Sequence, residues 1–418
     1  MPTTTSKQTT VPRWRKLHRN IWVTSLTSFF MDISSEMVIN ILPLFLSNVL
    51  GVKTNIIGFI EGIAEATASL LKVFSGWLSD KLRQRKWLAV AGYGLSALVK
   101  PFFYMANSWL AVAAVRWADR FGKGIRTAPR DALIADSVGE EQRGLAFGFQ
   151  RAADTGGALL GILIAFFVVW LSQGYRLGLT ATTFRTIVLI SLIPAVLAVH
   201  SLAFGAQDVP VTKQRPAPKF AFRSLGKPFM VFMLIVGLFD LGNSSDAFLV
   251  LRAQERGLNV LGVLGMLATF NLVYTLVSAP AGSLSDRVGR RGLVIGGWLV
   301  YALIYFGFAV VGKGWQVWVL YALYGVYYGL SCGTAKAMIA DIVPEAVRGT
   351  AYGTYNAVLG ILDFPASLIA GLLWDGLPAL GWRGFGAPAP FFFGAMLALI
   401  AAIALCLWKP QTQASTAV

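Results

Sequence analysis

Apolar residues along this chain gather into runs close to twenty residues long, separated by short polar segments. Residues 293–312 read LVIGGWLVYALIYFGFAVVG and residues 390–408 read PFFFGAMLALIAAIALCLW. A helix rises about 1.5 Å per residue, so about twenty apolar residues match the hydrocarbon thickness of a bilayer. Continued along the chain, the pattern predicts twelve helices, at 21–48, 55–79, 87–107, 109–134, 144–170, 185–205, 229–250, 260–283, 293–312, 316–341, 350–374 and 389–408. The expected class is an all-α integral membrane protein.

One stretch breaks the pattern. Residues 116–136, RWADRFGKGIRTAPRDALIAD, carry Arg116, Arg120, Lys123, Arg126 and Arg130 together with Asp119, Asp131 and Asp136. An internal repeat decides where it belongs. GWLSDKLRQRK from Gly76 matches GSLSDRVGRRG from Gly282, and ALIADSVGEEQRGLAFG from Ala132 matches AMIADIVPEAVRGTAYG from Ala337. A fainter echo pairs SSEMVINIL (34–42) with SSDAFLVLR (244–252). The near-constant offset aligns 116–136 with YALYGVYYGLSCGTAKAMIAD (321–341), which is plainly apolar and helix-length. The charged stretch is therefore expected to cross the bilayer as well.

Composition agrees with the pattern. Of 418 residues, 56% are hydrophobic and 13% charged, against the roughly one quarter charged residues of soluble domains. The net charge of +16 would suggest nucleic acid in a soluble protein. Here 20 of the 36 Lys and Arg fall in the tails and even-numbered loops, which places both termini in the cytoplasm by the positive-inside rule and leaves no case for nucleic acid. The start, MPTTTSKQTTVPRWRKLHRN, lacks a signal-peptide core and reads as a cytoplasmic tail. His18 and His200 are the only histidines, and Cys332 and Cys406 lie in apolar runs, so no metal site, cofactor or disulfide framework is expected. No nucleophile–base pair marks an enzyme.

Two six-helix halves joined by a Pro- and Lys/Arg-rich linker suit a secondary transporter built from repeats. The loop motif G-x-L-S-D-[K/R], doubled at the right offset, resembles the signature of the major facilitator superfamily over residues 20–408. That resemblance implies two pseudo-symmetric six-helix bundles, at 21–205 and 229–408. They would be flanked by cytoplasmic tails at 1–20 and 409–418 and joined by a cytoplasmic linker at 206–228. It also implies an inner-membrane protein that moves a small molecule by alternating access, with protons as the coupling ion. A single chain is expected to suffice.

The charged stretch supplies the candidate chemistry. At 100° per residue its five bases and Asp119 share an arc of about 120°. Four bases facing lipid would cost on the order of 10–14 kcal/mol, so the stripe must face a wet cavity or counter-charges. The counter-charges are Asp32 and Glu36 in the first span, Glu61 and Glu65 in the second, and Asp154, three residues after Arg151, in the fifth. Arg120-Phe-Gly-Lys123-Gly124 resembles the family's R-x-x-Q-G motif, whose Arg is associated with proton coupling. Lys123 replaces the Gln and Arg126 occupies a position usually small, which suggests an anionic substrate while leaving a cation open. The proton-coupling candidates are Asp32, Glu36, Asp119, Asp154 and Arg120. Cavity candidates are Glu61, Glu65, Arg116, Lys123, Arg126 and Arg151 in the first half. In the second half they are Asp240, Asn243 and Asp246 in FDLGNSSDAF, where glycine invites local unwinding, with Asn271, Tyr324, Tyr328, Lys336 and Asp363.

The loop motifs (Gly76, Asp80, Lys81 and Arg85; Gly282, Asp286, Arg287 and Arg291) are expected, from the resemblance, to brace the halves and release on switching. Arg83 stands where the motif has Gly. In GGALLGIL (156–163) the glycines of the superfamily's efflux antiporters are kept, with Ile162 where their Pro stands. Efflux is the expected direction. An uptake symporter for an organic anion and a non-transporting receptor on the same fold are the alternatives.

Overall fold

A computed structural model describes residues 17–82, 84–209, 225–344 and 347–408; the tail at 1–16, Arg83, the linker at 210–224, residues 345–346 and the tail at 409–418 lie outside them. Helices occupy all twelve predicted stretches. In chain order they are α1 (Arg19–Ile39), α2 (Leu42–Leu44) with a π-turn at Phe45–Val49, α3 (Thr54–Leu82), α4 (Lys86–Val99), α5 (Pro101–Met105), α6 (Trp109–Asp136), α7 (Glu140–Gln173) and α8 (Ala181–Gly205). After the linker come α9 (Gly226–Leu241), α10 (Ala247–Glu255), α11 (Val260–Val288), α12 (Arg290–Val310), α13 (Gly314–Ile342), α14 (Arg348–Asp375) and α15 (Ala389–Leu407). A two-residue hairpin, β1 (Gly376–Leu377) with β2 (Trp382–Arg383), precedes α15.

Eight of these stretches are long and apolar enough to cross a membrane, among the described residues. Two others, α3 and α6, carry ionic side chains, and α9 and α10 are 16 and 9 residues long because one predicted span is broken between them. Helix starts follow capping chemistry. Ser108, Thr180 and Asn259 each accept a hydrogen bond from a backbone N–H three residues on, which satisfies a first-turn donor of α6, α8 and α11.

Three predicted spans are interrupted, and the one expected over 87–107 parts at Lys100 into α4 and α5. The helix expected over 21–48 stops at Asn40, where the side chain turns back to donate to the carbonyl of Glu36, and Pro43 lies just after the break. The helix expected over 229–250 opens at Gly242–Asp246, as FDLGNSSDAF suggested. Its freed polar groups find partners: Tyr301 Oη donates to the Gly242 carbonyl (3.2 Å), and Ser245 N–H donates to Ser367 Oγ (3.2 Å). Unwound backbone at membrane depth survives only with such partners or beside a cavity.

Within each half of the sequence α1 packs on α7 and α8, α6 on α3 and α4, α13 on α11 and α12, and α15 on α12 and α9, while the most extensive helix pair, α3 with α14, joins the two halves. The halves meet where α3 lies on α14 and α7 on α11. Glycine makes the first seam close: a Cβ at Gly62 would stand 3.0 Å from the Phe364 backbone, and one at Gly371 would stand 2.7 Å from Asn55 Cα. The glycines of 156–163 serve packing inside the first half, since Cβ atoms at Gly157 and Gly161 would strike the α1 backbone at Phe29 and Ile33.

Arg252 lies two residues beyond the span predicted at 229–250 and belongs to α10. It is fully buried, donating from Nε to the Phe308 carbonyl (2.9 Å) and from Nη2 to the Ala309 carbonyl (2.8 Å), with Glu255 paired to Nη1. Phe308 and Ala309 sit in the last turn of α12, where carbonyls lack helical partners and a cation is favoured. Arg252→Ala strands both carbonyls in the interior, so it is expected to destabilise the protein by about 3 kcal/mol. Arg252→Lys recovers only part, because one ammonium cannot reproduce the planar fork. Thermal unfolding of the purified variants in detergent checks the order wild type, Lys, Ala.

Candidate functional site

A cavity of about 560 Å³ lies between the halves. The first half lines it with Glu36, Glu61, Glu65, Arg116, Arg120, Lys123 and Arg151, and the second half with Asn243, Asp246, Tyr324, Tyr328 and Asp363. A second cavity of about 450 Å³ shares Glu36, Lys123 and Arg151 with it and adds Asp32, Arg126, Arg130, Asp154 and Asn271. A third, of about 250 Å³, shares Asn243, Tyr328 and Asp363 with the first and adds Asp240. Three cavities thus touch through shared side chains, and they gather nearly all the predicted cavity residues.

The helix α6 is held against α3 by an ion ladder. Arg116, 1% exposed, forks onto Glu61 (Nη2–Oε2 2.6 Å, Nε–Oε1 3.2 Å) and reaches Glu65 at 3.5 Å. Arg120 Nη2 pairs with the same Glu65 oxygen at 2.9 Å. A parallel fork is the strongest arrangement available to guanidinium and carboxylate. Below it the seam tightens, with Ser75 Oγ donating to the Gly124 carbonyl at 2.8 Å.

The basic stripe does not face one space. Arg116, Arg120 and Lys123 face the central cavity, while Lys123, Arg126 and Arg130 face the second. Arg126 spreads over the Tyr93 ring (4.6 Å) and donates to Ser96 Oγ (2.7 Å). Arg130 pairs with Asp131 (2.8 Å), donates to Ser28 Oγ (2.9 Å) and stands 3.9 Å from Asp154, which also accepts from Gln150 (2.7 Å). Lys123 lines both cavities with no side-chain hydrogen bond or ion pair among the described residues.

Asp119 departs from expectation. It shares the arc of the bases, yet it is 4% exposed, lines none of the three cavities and turns toward α4, where Lys100 is its strongest electrostatic neighbour. The crossing of α6 on α4 explains this. A Cβ at Gly92 would stand 2.7 Å from the Gly122 carbonyl, so this side of α6 is covered by protein. Lys100, which hydropathy did not flag, is 2% exposed and donates to Ser34 and Ser35.

In the second half the tyrosines of α13 are partly lining and partly packing. Tyr324 and Tyr328 face the central cavity, while Tyr321 is fully buried against Phe270 with centroids 5.0 Å apart. Arg151 crosses between halves, donating to Tyr274 Oη at 2.8 Å. The side chain of Lys336 lies outside those described, as do those of Gly282, Asp286 and Arg287. In the first loop motif Asp80 pairs with Arg85 (2.8 Å), which also binds Asp136 (2.5 Å) at the end of α6, so this copy closes within its own half. Arg291 of the second copy donates to the carbonyls of Leu405 (3.0 Å) and Cys406 (2.7 Å) at the end of α15. Lys81 stands over the Trp77 ring, 5.1 Å from its centroid.

At the end of the bundle away from where α1 begins, polar side chains join the halves. Asn48 and Gln254 exchange amide hydrogen bonds (2.8 Å each way), and Gln254 also donates to the Leu177 carbonyl (3.0 Å). Asp375 accepts from Thr54 N–H, and Asn55 donates to the Gly376 carbonyl at 2.9 Å. None of these latches carried a signal in hydropathy.

The family model of the Major Facilitator Superfamily matches residues 24–367 and 247–417. The chain belongs to the Major Facilitator Superfamily. An uncharacterized MFS-type transporter of Methanocaldococcus jannaschii is 35% identical over 405 residues, covering 94% of this chain and 95% of that one. The multi-drug resistance efflux pump PmrA of Streptococcus pneumoniae is 25% identical, covering 80% of this chain and 83% of its own. Among solved structures, the nucleoside transporter NupG superposes with a TM-score of 0.75 at 15% identity, over 93% of this chain and 99% of that chain. A D-xylose-proton symporter gives 0.74 at 15% identity, over 94% and 98%. Such likeness speaks to the fold. This superfamily protein is thus a membrane transporter, not an enzyme.

Proposed function

We propose that the protein is a proton-coupled secondary transporter that carries a small organic solute across the inner membrane by alternating access, in the efflux direction and as a single chain. In this reading twelve spans form two six-helix bundles, 21–205 and 229–408, with both termini and the 206–228 linker in the cytoplasm. The observation that carries it is the central cavity itself: a solute-sized, charged space between the halves, with hydrogen bonds joining those halves at one end. Pumps named for multidrug resistance among the relatives, in Streptococcus pneumoniae and Enterobacter lignolyticus, favour efflux.

Charge balance informs the coupling. Around the central cavity Arg116, Arg120, Lys123 and Arg151 face Glu36, Glu61, Glu65, Asp246 and Asp363, so the lining as a whole does not single out an anion. In the second cavity Asp32 has no ion pair within 4.0 Å among the described residues, and Asp154 has only the long contact with Arg130. A carboxylate without a tight counter-ion can take a proton and release it without breaking a salt bridge, which suits a carrier.

Proteoliposomes with a pH-sensitive dye inside test this. Addition of a transported solute is expected to dissipate an imposed proton gradient. Asp32→Asn should slow that proton flux by about 100-fold, the lower end of what one positioned proton-transfer group contributes. Solute exchange without a gradient should survive. If Asp32→Asn and Arg120→Ala both keep full gradient-driven transport, the coupling assignment is wrong.

A further inference from the structure

The third cavity lies inside the second half, beside the break between α9 and α10. We propose that it is a binding site for an organic ammonium group, the cationic head of the solute that this protein handles. The inference deepens the transport reading and rests on it only for the route by which the solute arrives.

Three observations converge. Asp240 and Asp363 both line this space. Neither has an ion pair within 4.0 Å among the described residues, in contrast to Glu61 and Glu65 across the central cavity. Asp240 is 7% exposed, and its Oδ2 is buried with no hydrogen-bond partner. A buried carboxylate oxygen left bare in this way costs stability unless a ligand or proton completes it.

The remaining lining selects among ligands. Phe239, Trp298, Tyr327 and Tyr355 form the walls, with the Phe239 and Trp298 rings stacked at 4.7 Å. Aromatic faces attract an ammonium through their negative quadrupole, most strongly where water is excluded. A bare metal ion needs six or more oxygen ligands at short range, and walls of aromatic carbon do not supply them. The volume of about 250 Å³ accepts an ammonium with a small apolar substituent. Because Asn243, Tyr328 and Asp363 also line the central cavity, a longer solute can keep its ammonium here while its remainder reaches Lys123.

Equilibrium binding to the purified full chain in detergent tests this without any transport step. The probes are phenethylamine, its neutral isostere 2-phenylethanol, phenylacetate and sodium chloride, read by calorimetry. Phenethylamine is expected to bind once per chain, and the neutral and anionic isosteres are not. Asp240→Asn and Asp363→Asn should each weaken binding at least about 30-fold, the effect of removing one partner from a desolvated charge pair. Asp363→Glu should stay within about tenfold of wild type, which separates loss of charge from loss of fold. Equal binding of 2-phenylethanol, undiminished binding in both Asn variants, or displacement of phenethylamine by sodium overturns the proposal. So does a response to pH with no ammonium binding. Intact ammonium binding without gradient-driven transport would instead sink the coupling mechanism and leave this site standing.

Discussion

Arg116→Ala is expected to lower the unfolding free energy by about 3–5 kcal/mol and to abolish transport, because it leaves Glu61 buried without its counter-ion. Both members of the fork are at most 4% exposed, so neither can recover hydration by turning to solvent. Glu65 would keep Arg120 at 2.9 Å, and the ladder would be cut at its buried end only. Arg116→Met combined with Glu61→Leu separates the two losses. Replacing a buried pair by apolar groups of similar volume is often neutral for stability, so the double variant should unfold near the wild-type temperature. It should still fail in transport, since the fork positions α6 and the cavity charges. Thermal unfolding in detergent and uptake into proteoliposomes check both halves of the statement. A double variant that transports at the wild-type rate would reduce the fork to packing alone.

How much of this could be read from residues alone follows from where each signal resides. The helices are set by local hydropathy, and all twelve stretches coincide with helices within a few residues, apart from the three that break. Locating α6 in the membrane needed the repeat, because its own charges conceal it. The wheel correctly gave α6 a charged, internal face, but a wheel treats a face as one environment. In the protein three neighbours divide that face: α3 takes Arg116 through Glu61, α4 covers Asp119, and the second cavity receives Arg126 and Arg130. Asp119 thus lies on the expected helix but lines none of the three cavities.

Other features depend on partners far away in the chain and have no local mark. Arg252 resembles a loop charge until the last turn of α12 is folded onto it, 56 residues on. Lys100 follows a long apolar run and gives no sign that it turns inward toward serines of α1. The amides Asn48 and Gln254 lie 206 residues apart, and neither carries charge or periodicity. The substrate leaning drawn from α6 was drawn from one wall of a space that has two, and Asp246 and Asp363 on the other wall change the balance. Local chemistry named the lining residues well; only the fold shows which of them face each other.

Joining Asn48→Cys to Gln254→Cys with a short cleavable bis-methanethiosulfonate linker is expected to stop transport, with recovery on reduction. In this structure the two side chains already exchange amide hydrogen bonds of 2.8 Å, so the linker stabilises the conformation present and strains nothing. Alternating access requires this end to part once per cycle, and a covalent tie makes that state unreachable. Each neutral amide bond contributes only about 1 kcal/mol net, which is small enough for the latch to open on a transport timescale and large enough to bias the resting state. Asn48→Ala alone should therefore shift the balance toward the opened form and leave transport within about tenfold of wild type. The background for the pair is a chain with Cys332 and Cys406 replaced by serine, since Cys406 is exposed and would react. Ammonium binding to the tied protein in detergent supplies the internal control: it should persist if the central cavity is reached from the other end. Undiminished transport by the tied protein would show that this end never opens, and alternating access through the central cavity would have to be abandoned.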